Sequence, residues 1–156
     1  MLLNKLKILV FLSLFLFANI IFANNDLATY QNMASCAQII KVRAGETFAG
    51  NNITAVYMNI INNCEKELII LNVNSNIAKK AKIHLSNNKL HDMSTMIELE
   101  NLKLTAKQTL KLSPGGYHIM LIDLIKPLKQ GDSIPLEILF SDGSKKNINA
   151  LIMNRI

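Results

Sequence analysis

Tryptophan is absent from the 156 residues, aromatic side chains make up only 6% and charged ones 18%. No stretch interleaves aromatic with basic residues, and the lysines are scattered apart from Lys79–Lys80 and Lys145–Lys146. That leaves nucleic-acid binding without support. Cysteine is scarce too, with only Cys36 and Cys64, too far apart for a CxxC redox motif. No segment carries a convincing 3.6-residue hydrophobic period, which argues against a helical bundle, and no internal repeat or low-complexity tract is visible. No nucleophile, base and orienting acid are set apart as a triad would need: Ser94, His91 and Asp92 are loop neighbours, so an enzyme is not expected. With half the chain hydrophobic, what remains is one globular domain.

The N-terminus has a different composition. Lys5 and Lys7 precede an almost uninterrupted apolar run from Ile8 to Phe22, closed by Ala23 before a polar "NND". A basic start, a run shorter than the roughly 20 residues a spanning helix needs, and a small residue at its end describe a secretory signal peptide cleaved near Ala23. An uncleaved anchor is the alternative. The expected mature domain is residues 24–156, exported to the periplasm, monomeric and without stable membrane insertion. Losing Lys5 and Lys7 lowers the formal charge from +6 to +4, a mildly basic balance that suits an acidic partner or a membrane face. An oxidising compartment favours a bridge between Cys36 and Cys64, which would act as a staple; the other reading is two small buried hydrophobes that never meet. The stretch "NMASC" faintly resembles a lipoprotein cleavage box, but a mostly polar stretch, residues 23–31, separates it from the apolar run, and it is discounted.

The rest reads as short apolar segments divided by Asn, Gly and Asp clusters, a strand pattern. Expected strands are Cys36–Val42, Ile53–Ile61, Glu67–Val73, Lys80–Ser86, Gln108–Leu112, Tyr117–Ile122, Ser133–Phe140 and Asn147–Met153, with a less regular piece from Leu90 to Glu100. "SPGG" before Tyr117 is a turn signal, with Pro at the bend and glycine free to take positive φ. Seven or eight short strands argue an all-β sandwich or small barrel.

The soft donors are unevenly placed. His84, His91 and His118 are the only histidines, and with Met93, Met96 and Met120 they fall between residues 84 and 120. Alternate side chains of a strand point to opposite faces. In Tyr117–Ile122, His118 and Met120 therefore stand together opposite Tyr117, Ile119 and Leu121. In Ala81–Ser86, His84 shares a face with Lys82 and Ser86, opposite Ile83 and Leu85; that face is expected to be the wet one, where an imidazole avoids the cost of burial without a partner. Met96, in the irregular piece, belongs to no core period. Two imidazoles and two thioethers are neutral, borderline-to-soft donors. They favour Cu(I) over magnesium, calcium or manganese, which want oxygen, and zinc usually takes thiolate or carboxylate. Taken singly, each has a plainer reading: methionine is a common core gap-filler and a lone histidine is commonly a satisfied surface residue.

Eleven residues separate His84 from Met96, twenty-one separate Met96 from His118, and one separates His118 from Met120. This spacing resembles the signature of the periplasmic copper chaperones called PCuAC, His-Met-x10-Met-x21-His-x-Met. "VYMNIIN" (Val56–Asn62) and "LSPGGYHIMLIDLIKPLKQGDSIPLEILF" (Leu112–Phe140) are similar to that family's most recognisable segments, and the resemblance runs from about Ile39 to Phe140. It implies a cupredoxin-like Greek-key β-sandwich, and His84, Met96, His118 and Met120 as ligands of one Cu(I). It also implies delivery of copper to the CuA centre on subunit II of cytochrome c oxidase, with a Sco-like protein as co-worker. An alternative role with the same ligands is a periplasmic copper buffer or tolerance protein; a third reading is a structural or adhesive β-sandwich with incidental histidines. Leu85 departs from the methionine that often follows the first histidine, and by strand parity it should affect packing more than binding. "MNRI" (Met153–Ile156) offers one thioether at most in place of a His- and Met-rich tail, and His91 and Met93 lie outside the signature.

Overall fold

Residues 53–62 bury every second side chain: Thr54, Val56, Met58, Ile60 and Asn62 point one way, and Ala55, Tyr57, Asn59 and Ile61 the other. Residues 133–140 do the same with Ile134, Leu136, Ile138 and Phe140. A period of two over eight to ten residues commits these segments to a sheet with one face in the core.

The computed structural model describes residues 32–87 and 95–154; the expected signal segment, His91 and Met93 lie outside the described residues. One helical turn, α1 (Met33–Cys36), is followed by ten strands: β1 (Ala37–Gly45), β2 (Ile53–Asn62), β3 (Leu68–Asn74), β4 (Ala78–Asn87), β5 (Thr95–Leu99), β6 (Leu102–Leu104), β7 (Thr109–Leu112), β8 (Tyr117–Leu124), β9 (Ser133–Phe140) and β10 (Lys145–Met153). They form one sheet in the order β5-β4-β8-β2-β1-β10-β9-β3-β6, with β7 added beside β2, rolled into a nearly closed barrel. The described pairs are antiparallel except β1 with β10, which is parallel. The barrel interior holds Phe140, Met58, Leu68, Ile70, Leu104, Ile119, Leu121 and Leu136, all fully buried. Burial of each such side chain contributes about 1.5–3 kcal/mol. This is the all-β, cupredoxin-like architecture expected from the sequence.

Three local features differ from expectation. The first strand starts one residue later than Cys36, because Met33–Cys36 closes a helical turn. Its leading N–H groups are satisfied by side chains: Ser35 N–H donates to Asn32 Oδ1 at 2.8 Å, Met33 N–H to Asp142 Oδ2 at 2.7 Å and Ala34 N–H to Ser144 Oγ at 3.0 Å. The second half of the piece from Leu90 to Glu100 is a regular strand, β5, at the sheet edge, where Met96 and Ile97 on opposite faces are both exposed. Without a buried face it carries no alternation to detect. β6 is three residues, too short for a periodic signal.

Cys36 and Cys64 form a disulfide, with Cα atoms 5.3 Å apart, at the end of the β1–β2 ladder where Ala37 pairs with Asn62. Beside it the buried Asn62 amide donates to the carbonyls of Lys66, Leu104 and Thr105 at 2.8, 3.2 and 2.9 Å and accepts from Cys64 N–H at 2.9 Å. At the opposite sequence punctuation, Gly116 N–H donates to Ser113 O at 3.0 Å and Gly115 takes φ 75°, the Pro-Gly turn that delivers the chain into β8.

Candidate metal centre

β4 and β8 are antiparallel neighbours, and their register sets His84 opposite His118, Lys82 opposite Met120 and Ile83 opposite Ile119. Ile83 and Ile119 are buried in the barrel, so the histidines share its outer face. Their ring centroids are 5.7 Å apart with planes at 80°, an edge-on arrangement. Two residues 34 positions apart in sequence thus become direct neighbours.

On β4 the face of Lys82, His84 and Ser86, expected to be wet, is partly exposed, while on the neighbouring strand His118 is only 4% exposed. His84 covers one side of its ring, and Tyr57 from β2 covers the other at a centroid distance of 6.4 Å. His118 Nδ1 lies 3.0 Å from the Gly116 carbonyl. A carbonyl oxygen only accepts, so Nδ1 carries the proton and Nε2 keeps a free lone pair, the arrangement that orients metal-binding imidazoles. The same carbonyl accepts from Ser86 N–H at 3.2 Å, tying β4 to the start of β8. His84 is partly buried, and its Nδ1 is enclosed with no hydrogen-bond partner among the described residues. An enclosed ring nitrogen without a partner is costly.

Burial, and then the neighbouring His118, hold the His84 imidazole below its ordinary pKa; Glu98 opposes this. Glu98 sits opposite His84 on β5, and its carboxyl is held below the usual range chiefly by the hydrogen bond from Lys82, 2.6 Å long. His84 is therefore a neutral donor near pH 7.

The thioethers are less tightly gathered. Met120 follows His118 by two residues on the same face and is partly buried. Met96 lies on β5 opposite Ser86, not in an irregular segment, and is 54% exposed. β5 and β8 flank β4, and relative to the histidine pair Met96 is displaced towards Ser86 while Met120 is displaced towards Lys82. Two residues of strand amount to about 7 Å. Met96, His84, His118 and Met120 thus form a diagonal line of neighbours over three strands, with a thioether at each end. Among the described residues no three His, Cys, Asp or Glu side chains gather as a metal cluster, so any soft-ion site here needs the methionines. Leu85 is opposite Tyr117 on the inner side, as parity requires.

Tyr57 and Glu98 were not singled out from sequence. Both reach the histidines through cross-strand register, which no local pattern encodes.

The fold is shared with the PCuAC domains. The copper-bound PCuAC domain of PmoF2 superimposes with a TM-score of 0.68 at 16% identity, covering 81% of this chain and all of that domain. The apo PCuAC domain of PmoF1 gives 0.65 at 21% identity, again covering 81% of this chain and all of that domain. Cu(I)-loaded DR1885 of Deinococcus radiodurans gives 0.62 at 21% identity, with 86% and 87% covered. In sequence, Lxx21020 of Leifsonia xyli subsp. xyli is 35% identical over 97 residues; the match spans 62% of this chain and 58% of that protein, little more than half the relative's length. The family described as "Putative lipoprotein LpqE-like" matches residues 37–152. That span takes in the whole strand order from β1 to β10 apart from its last residue, and on it the chain belongs to the LpqE-like family.

Proposed function

We propose that this protein is an exported copper chaperone that binds one Cu(I) through His84, Met96, His118 and Met120 and passes it on. The observation that carries the reading is the direct cross-strand pairing of His84 and His118, with the His118 Nδ1 proton pinned to Gly116 and Met120 beside it. Copper in two of the structural neighbours supports the choice of metal, and the neutral nitrogen and thioether set suits a monovalent soft ion.

His118 and Met120 clamp the ion from one strand, His84 adds the second imidazole from β4, and Met96 is the last to engage. Bringing Met96 in requires β5 to shift over β4, and β5 is an edge strand whose partner among the described strands is β4. Release runs in reverse: the exposed thioether leaves first, and a thiolate-bearing receiver takes the vacated position. The receiver is the CuA centre on subunit II of cytochrome c oxidase, aided by a Sco-like protein, by resemblance to the PCuAC family. The envelope location rests on the apolar N-terminal run and on relatives described as lipoproteins. Cys36, the one cysteine in a box-like setting, is paired with Cys64, which speaks against a lipid thioether at that position and supports a domain without a lipid anchor there.

Anaerobic titration with Cu(I) against a chelating competitor tests the ligand set. One equivalent is expected, with at least a tenfold loss of affinity, about 1.4 kcal/mol, in His118→Ala and in Met96→Ala. Equal binding by wild type and both variants rejects the assignment. A buffering role with the same ligands is separated by genetic loss: absence of a delivery protein lowers oxidase activity at low copper, and absence of a buffer lowers growth at high copper.

A further inference from the structure

The outer face beyond Tyr57 holds a second arrangement that the histidine site does not use. A cavity of about 200 Å³ is lined by Lys41, Arg43, Tyr57, Asn59 and Lys111, with the inner-face residues Met58 and Leu112 at its floor. Three cationic side chains converge there with no acid among them. The ion pairs of the described residues are Lys82–Glu98, Lys107–Glu65 and Lys145–Glu137, and none involves Lys41, Arg43 or Lys111.

The backbone is built to gather them. The β1–β2 register breaks between Ile40 and Arg43, and at this bulge Lys41 takes φ 56°. A bulge re-aims side chains, and a left-handed lysine costs conformational energy that regular pairing would avoid. Beyond it, Arg43 is again in register, opposite Tyr57, while Lys111 of β7 pairs with Asn59. Arg43 Nε is enclosed and has no hydrogen-bond partner among the described residues. A guanidinium N–H held away from water without an acceptor is costly, and the acceptor that matches its planar fork is an oxyanion.

We propose that this pocket binds a phosphate-class oxyanion, held by Arg43 through Nε and the adjacent guanidinium N–H, neutralised by Lys41 and Lys111, and oriented by the Tyr57 hydroxyl. Three positive charges with no acid select a dianion over a single carboxylate. The volume, below the roughly 300–1,000 Å³ of pockets for drug-sized ligands, admits one phosphate group and excludes a whole nucleotide. Two sources share this chemistry: free inorganic phosphate, and the phosphate monoester headgroup of an acidic lipid. Tyr57 walls the pocket on one side and packs on His118 on the other, but anion binding needs neither the histidines nor copper.

Titration of the purified protein with inorganic phosphate, followed by amide NMR at constant ionic strength, is the first arm. Saturable shifts at Arg43, Tyr57 and Lys111 are expected, weakened at least about tenfold in Arg43→Gln and clearly reduced in Lys111→Gln, an exposed position whose substitution leaves the fold intact. Cosedimentation with phosphatidylcholine vesicles carrying phosphatidic acid is the second arm. Arg43-dependent binding to those vesicles, and not to phosphatidylcholine alone, assigns the site to a lipid headgroup; saturable binding of free phosphate without it assigns it to the free ion. Shifts that are linear in phosphate and reproduced by chloride, with no Arg43-dependent vesicle binding, overturn the proposal. So does wild-type affinity in Arg43→Gln.

Discussion

His84 and His118 stand directly opposite each other on β4 and β8, their rings 5.7 Å apart, and only one of them has its ring nitrogen satisfied by the protein. The His118 Nδ1 proton is committed to Gly116, while the enclosed Nδ1 of His84 has no hydrogen-bond partner among the described residues. In a fully structural pair both rings would be satisfied. The asymmetry leaves the Nε2 of His118 and the enclosed Nδ1 of His84 without a protein partner assigned among the described residues, on a pair of strands that also carries Met120.

Strand parity gives the first prediction. Leu85 occupies the position where the PCuAC signature often has methionine, but it faces Tyr117 on the inner side of the sheet. Leu85→Met should leave Cu(I) affinity within about twofold of wild type and change stability by less than about 1.5 kcal/mol, as a volume-conserving swap does. A competitor titration and a denaturant melt measure both; a large gain in affinity would mean that position 85 reaches the metal.

The second concerns pH. Imidazole must be neutral to bind a metal, and burial, reinforced by His118, holds His84 below its ordinary value of about 6.5. A depressed pKa keeps the neutral form populated to lower pH. The His84 contribution to Cu(I) affinity, read as the difference between wild type and His84→Ala, should therefore persist to lower pH than a solvent-exposed histidine's would and be lost only as pH falls through its lowered value. Competitor titrations at stepped pH read this out, and a decline already complete by pH 6.5 would contradict it.

Reduction supplies the third. The Cys36–Cys64 bridge closes a span of 28 residues around the β1–β2 hairpin. Replacing both cysteines by serine should cost about 2–4 kcal/mol in a urea melt while leaving copper stoichiometry unchanged, because the bridge lies outside the β4–β8 pair.

The fourth addresses the buried amide next to that bridge. Asn62 is fully buried and serves three carbonyls and one N–H. Asn62→Ala strands all of them, so a loss of roughly 3 kcal/mol is expected, comparable to losing the disulfide. A double variant lacking both Asn62 and the bridge should be less destabilised than the sum, since the two hold the same turn. Strict additivity would show that they act independently.

The strands were legible wherever one face is buried. In β2 and β9 the alternation is complete, because burial selects every second residue and parity does the rest. It failed at β5, an edge strand exposed on both faces, and at β6, whose three residues alternate but are too few to stand out as a period. The helical turn Met33–Cys36 escaped notice for a related reason: its capping groups include Asp142 and Ser144, more than a hundred residues away.

By itself the sequence determined that the chain is all-β, that His118 and Met120 share a strand face, and that soft donors cluster between residues 84 and 120, since each follows from composition or a period of two. Only the tertiary structure decided that His84 meets His118, that Tyr57 packs against His118, that Met96 stands at the exposed end of the line, and that Lys41, Arg43 and Lys111 line one cavity. Register between strands is a property of the closed sheet. It comes from the packing of the whole barrel, and no local run of residues contains it.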